Sequence, residues 1–233
     1  MTKATLRLLS TVVLVTASLA AVAAPVTPTF TTFGALPAAT FGSPTNSIPK
    51  DAVAITTVGG LTLGLTATPR FSAPAVTNNG AGTFSATSGS TLAAPSLALW
   101  NFDFYINGAS TLEGLDTIKL FYDFDSGVGT DESQLGSLNF GKVDAQNSFN
   151  LGNVFLGVTN SFPGVTRPAF AGAFNPAATG EYSFDLVAFN AAGAVLGRSA
   201  INVDVKAVPE PASLALLGLG AMGLLAARKR KQA

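Results

Sequence analysis

Apolar and polar positions alternate with a period of two along several short stretches of the chain. The sharpest case sets Trp100, Phe102, Phe104 and Ile106 against Asn101, Asp103 and Tyr105. This spacing predicts a strand with three aromatics and an isoleucine on a buried face, and with Asn101 and Asp103 on a wet one. Asn107-Gly108 then supplies turn chemistry. Ile118, Leu120, Tyr122 and Phe124 alternate in the same way with Lys119, Phe121, Asp123 and Asp125. Ala52–Val58 and Leu61–Thr68 flank Gly59-Gly60, a two-residue hairpin connection. Further strands are predicted at Thr83–Ala86, Phe149–Val158, Gly180–Asn190 and Leu196–Val205, the last two joined across Ala191-Ala192-Gly193. No stretch between the two ends keeps a helical period over twelve residues. The pattern therefore predicts an all-β body over residues 51–206, built as an antiparallel β-sandwich.

The flanks read differently. Residues 24–50 carry Pro25, Pro28, Pro37, Pro44 and Pro49, a spacing that discourages helix and central strand and predicts a leader or an edge segment. Before it, Lys3 and Arg7 precede an apolar run from Leu8 to Val22 that closes with Ala21-Val22-Ala23. Basic, apolar and small residues in that order predict a secretory signal peptide over 1–23, as a helix, cut after Ala23 by signal peptidase. At the other end, Pro209-Glu210-Pro211 is followed by sixteen uncharged residues, Ala212–Ala227, and then by Arg228, Lys229, Arg230 and Lys231. As a helix those sixteen residues reach roughly 24 Å, a minimal transmembrane span. The basic cluster predicts a cytoplasmic stop, with the body on the far side of the inner membrane.

This ending resembles the PEP-CTERM sorting tail of exported proteins of Gram-negative bacteria, a tail also known as the C-terminal domain of ice-binding proteins. The resemblance covers residues 207–233. It implies an exosortase, a membrane-embedded cysteine protease, as partner. Pro209, Glu210 and Pro211 would be the processing motif, Leu214–Leu225 the anchor and Arg228–Lys231 the stop. The implied route is transient anchoring in the inner membrane with the body in the periplasm, then release to the cell surface or extracellular matrix. Within the body, Gly180–Phe184 resembles the tyrosine corner of immunoglobulin-like sandwiches, with Tyr182 as a structural phenol. An immunoglobulin-like or jelly-roll sandwich is the fold this implies.

Composition narrows the chemistry. The chain of 233 residues has no Cys and no His, which excludes disulfides, thiol nucleophiles, Cys/His zinc sites and a Ser-His-Asp triad. Thirteen basic residues balance thirteen acidic ones. Removal of both ends would leave seven basic residues, Lys50, Arg70, Lys119, Lys142, Arg167, Arg198 and Lys206, and a net charge of −5 or −6 according to whether Glu210 is kept. An acidic surface argues against nucleic acid as a partner.

Candidate motifs are few. Gly218-Leu219-Gly220-Ala221-Met222-Gly223 matches G-x-G-x-x-G, but it lies inside the apolar tail without the strand and the distal acid a dinucleotide needs, so no cofactor is assigned to it. Ser47-Ile48-Pro49-Lys50 has S-x-x-K spacing, yet Pro49 stands where that chemistry needs a helix. Residues 123–132 form a dense acidic glycine loop, which makes Asp123, Asp125 and Asp131 candidates for Ca²⁺, although the EF-hand spacing fails. Asp103 and Asp185 carry carboxylates without a motif, and Tyr105 and Phe121, on the minority faces of their strands, are candidate sugar-stacking aromatics. No catalytic residue emerges. The expectation is a non-enzymatic protein with a structural or adhesive role in exopolysaccharide; the alternative is a carbohydrate-binding module assisted by calcium.

Overall fold

The computed structural model describes residues 24–71, 73–157, 163–170 and 172–208. Among them the strands are β1 (Thr32–Gly34), β2 (Val53–Val58), β3 (Leu61–Pro69), β4 (Thr77–Asn78), β5 (Thr83–Thr87) and β6 (Trp100–Asn107). They continue with β7 (Leu115–Tyr122), β8 (Gly136–Gly141), β9 (Ala145–Phe149), β10 (Val165–Thr166), β11 (Gly180–Asn190) and β12 (Val195–Lys206). One short helix, α1 (Val154–Gly157), precedes β10. The predicted signal helix and transmembrane helix fall outside the described residues. No helix among the described residues is long and apolar enough to cross a membrane.

The strands form two sheets, ordered β1-β2-β3-β6-β9 and β10-β8-β7-β11-β12-β5-β4. They pack face to face over one core, into which β6 sends Trp100, Phe102, Phe104 and Ile106 as their alternation predicts. Phe184 of β11 answers from the opposite sheet, stacked on Phe102 with ring centroids 4.6 Å apart and meeting Trp100 edge-on at 6.1 Å. Each such buried aromatic contributes roughly 1.5–3 kcal/mol by removal of apolar area from water. The β2–β3 hairpin turns at Gly59 and Gly60 with φ +53° and +87°, the two left-handed residues that its twist requires.

Four expectations are corrected. The second sheet is mixed: the β11–β12 hairpin fixes the direction of β12, and β5 meets it in parallel, Asn202 opposite Thr83 through Lys206 opposite Thr87. The strand predicted over Phe149–Val158 ends at Phe149. There the Asn150 side chain accepts from the backbone of Ala98 and Gly152 and donates to the carbonyls of Ala98 and Trp100, which turns the chain out of the sheet. Asp103, placed on a wet face by the alternation, is fully buried. Tyr105, on the same face, is buried as well, because the loop after β1 folds back and packs Ala39 and Phe41 on it.

That loop belongs to the proline-rich segment. Of the leader or edge segment that the prolines allow, the chain takes the second, since β1 pairs with β2 at the edge of the first sheet. Ahead of β1, Val26 packs with Leu135, Ala200 and Phe121 on the outer face of the second sheet. Thr29 exchanges backbone bonds of 3.1 and 2.7 Å with Ala200 there.

Candidate functional site

The outer face of β3, β6 and β9 is only partly covered by the loop that buries Tyr105. Beside the loop a cleft of about 600 Å³ remains. Its floor is polar: Thr68 from β3, Asn101 from β6 and Ser148 from β9. One wall is the loop itself, with Phe41, Ser43, Ser47 and Ile48, and at the rim stand Pro69 and Phe71. No charged side chain among the described residues lines the cleft.

The polar floor is held from below. Asn150 donates to Asn101 Oδ1 at 2.9 Å, and Asn101 Nδ2 donates to Ser148 Oγ at 3.0 Å. Thr68 Oγ1 donates to Asp103 Oδ2 at 2.7 Å, beneath the floor, while Asp103 Oδ1 has no hydrogen-bond partner. Burial pushes the Asp103 carboxyl up to about 7, against the pull of the Ser148 and Thr68 hydroxyls. The wall is held too. Gln146 Oε1 accepts from the backbone of Thr40 and Phe41, and Lys50 Nζ donates to Pro37 O, Ala39 O and Asn46 Oδ1. The lysine of the S-x-x-K spacing therefore ties the loop together. Ser47 hydrogen-bonds instead with Ser43 and Thr45.

Among the described residues three non-glycine positions have positive φ: Phe41 at 48°, Asn46 at 54° and Phe71 at 53°. Phe41 and Phe71 line the cleft and Asn46 adjoins Ser47 in its wall. For a bulky side chain this conformation is strained and persists only where the surroundings enforce it.

The aromatics named from the sequence do not provide a platform. Tyr105 lies under Phe41, and Phe121 is half-buried against Val26 and Leu135, edge-on to Phe189. The most exposed ring among the described residues is that of Phe71, 86% accessible, with the Arg70 guanidinium 4.9 Å from its centroid.

The calcium candidates serve their own loop. Asp123 Oδ1 accepts from Asp125 N, Asp125 Oδ1 from Gly127 N, and Asp131 Oδ1 from the backbone and hydroxyl of Ser133. No group of three acidic side chains able to hold a metal forms among the described residues. Asp123 is buried, and its desolvation raises the carboxyl to about 6. Tyr182 is raised to about 12 by burial and by the nearby Asp123. The phenol that binds backbone is that of Tyr122, whose Oη donates to Leu156 O at 2.7 Å and Thr166 O at 3.1 Å. Asp185 lies on the outer face of β11, fully buried, 3.1 Å from Arg198 Nε, and Arg198 also pairs with Glu132 at 2.8 Å.

The second functional region is the exit of the chain. β12 is paired on both sides as far as Val205 and with β5 to its end, with Lys206 O accepting from Ser88 N at 2.8 Å. Ala207 and Val208 follow in the open. Ala23 and the Pro209–Pro211 and Arg228–Lys231 segments lie outside the described residues. Residues 207–231 match the PEP-CTERM protein-sorting motif. The chain thus carries the signal for exosortase-dependent sorting of an exported, membrane-transiting protein, beginning one residue past its last strand. No curated protein and no solved structure matches the chain.

Proposed function

We propose that this is a non-enzymatic protein of the cell surface or extracellular matrix, with a structural or adhesive role in exopolysaccharide. The observation that supports it is the junction: a two-sheet body ends at Lys206, and a sorting motif starts at Ala207. Signal peptidase removes residues 1–23. The run Leu214–Leu225 then holds the chain in the inner membrane, Arg228–Lys231 stops transfer, and an exosortase cuts at Pro209-Glu210-Pro211. Two residues separate Lys206 from Pro209, an extended reach of about 7–10 Å. The protease therefore meets its substrate with the folded body against the membrane surface.

Intact-mass spectrometry of the protein recovered from the cell surface tests both ends at once. The expected product begins at Ala24 and ends at or near the Pro209–Pro211 motif. Replacing those three residues with alanine should leave the tail on and the protein in the inner-membrane fraction. A surface product that retains 212–233 would refute exosortase processing.

A carbohydrate-binding role is the second reading. The uncharged cleft beside Phe71 favours it.

A further inference from the structure

We infer that the cleft over β3, β6 and β9 binds a neutral polysaccharide strand, with one sugar ring against Phe71 and hydroxyls bonded to Asn101, Asn147, Ser148 and Ser43. The inference takes its ligand's source from the matrix role proposed above, but its geometry stands apart from the sorting motif.

The chemistry of the lining selects the ligand. Phosphate, nucleic acid and acidic sugars are recognised by clusters of cationic side chains, and among the described residues the lining has none; the nearest cation, Arg70, packs over the Phe71 ring at the rim. A metal needs several converging carboxylates, and the one carboxylate here, that of Asp103, lies beneath the floor. The lining offers aliphatic hydroxyls and carboxamides, which both donate and accept, beside apolar and aromatic surface. That mixture matches a sugar ring, whose edge carries hydroxyls and whose faces carry C–H groups.

Placement is fixed before any ligand arrives. The Asn150–Asn101–Ser148 chain orients the amide and hydroxyl of the floor, and Thr68 is turned down onto Asp103, which leaves its lone pairs toward the cleft. Phe71 is the outlier that calls for explanation. It is a large apolar ring, almost wholly exposed, held at positive φ with Arg70 against it. An exposed Phe held in a strained conformation has no evident use in the folded body. As a stacking surface it has one, and the other two strained residues, Phe41 and Asn46, shape the opposite wall of the same cleft. Rigid walls reduce the entropy lost when a flexible polymer is captured.

Affinity electrophoresis of the full chain in native gels containing dextran, galactomannan, xyloglucan or hydroxyethyl cellulose tests the inference, with alginate as the acidic control. Retardation by at least one neutral polymer and none by alginate is expected. Phe71→Ala should weaken binding at least tenfold, and Asn147→Ala measurably. Val128→Ala, which removes an equally exposed apolar side chain elsewhere, should leave binding unchanged. Both Phe71 and Asn147 are exposed, so these variants keep the fold, and unchanged near-ultraviolet circular dichroism checks this. The inference is overturned by absence of retardation in all four neutral polymers, by retardation in alginate alone, or by equal binding of the Phe71 and Val128 variants. Loss of binding with normal tail processing would sink the cleft alone. Binding by a protein that keeps its tail on the surface would sink the sorting route alone.

Discussion

Replacing Asp103 with asparagine should make the protein less sensitive to alkaline pH. The carboxyl is fully buried, and its ionisation is raised from 3.8 to about 7 by desolvation. Below pH 3.8 the group is protonated in the folded and unfolded chains alike. Between 3.8 and about 7 the folded protein keeps a proton that the unfolded chain has released, so stability falls as pH rises. Above about 7 the loss is complete. A rise of roughly three pH units corresponds to about 4 kcal/mol at full extent. For a chain of this size that is on the order of 10 °C in melting temperature. Asparagine has the same shape, can still accept from Thr68, and puts amide hydrogens where Asp103 Oδ1 has no partner. Asp123 and Asp185, also raised by burial, contribute pH slopes to both proteins, and these cancel in the difference. The assay is urea unfolding at pH 5 and pH 8, followed by fluorescence of the single tryptophan, Trp100, which is buried between the sheets. The variant should gain on the wild type by about 2.5 kcal/mol on going from pH 5 to pH 8, since the part between 3.8 and 5 is already lost at the lower pH. Parallel pH curves for the two proteins would refute the reasoning, because they would mean that Asp103 is solvated or paired with a cation.

Other substitutions test the packing around the cleft and at the turns. Asn150→Ala strips the partners from the buried backbone of Ala98 and Trp100, and should lower unfolding free energy by about 3 kcal/mol in the same assay. Gly152→Ala would drive a methyl group into the Ser96 carbonyl and should cost about 2–3 kcal/mol, read as a lowered urea midpoint. Tyr122→Phe leaves the Leu156 and Thr166 carbonyls without their shared donor, for a loss of about 1–2 kcal/mol in melting experiments.

Period-two alternation is enough to place β3, β5, β6, β7, β11 and β12, because each sends apolar residues into one core, and the Gly59-Gly60 turn places β2, whose buried share of that core is Ala54. β8 and β9 are rich in Gly, Asn, Ser and Gln, and their place comes from pairing with β7 and β6 rather than from their own pattern. Asp103 shows where alternation stops being informative. It separates the two faces of a strand, but it cannot say that the second face is covered, and over Tyr105 on that face the cover comes from Ala39 and Phe41, more than sixty residues earlier. The cleft was illegible for the same reason: Thr68, Phe71, Asn101, Asn147 and Ser148 come from distant segments and meet only through sheet register. A weak signal existed in the run Gln146-Asn147-Ser148 and in the abrupt Pro69-Arg70-Phe71 at the end of an apolar strand. The sorting tail was plain because its recognition is local: a motif, an apolar run and a basic cluster in consecutive order.

The strand that leads into the tail is an interior one. β12 has ten residue pairs with β11 on one side and five with β5 on the other. A tether fixed beyond Val208 would therefore pull along the strand axis, against two rows of hydrogen bonds stretched together in shear. An edge strand peeled sideways would give way one bond at a time. Attachment at this terminus makes the body suited to bearing mechanical load, with the first failure expected in the short outer strands and not at the point of attachment.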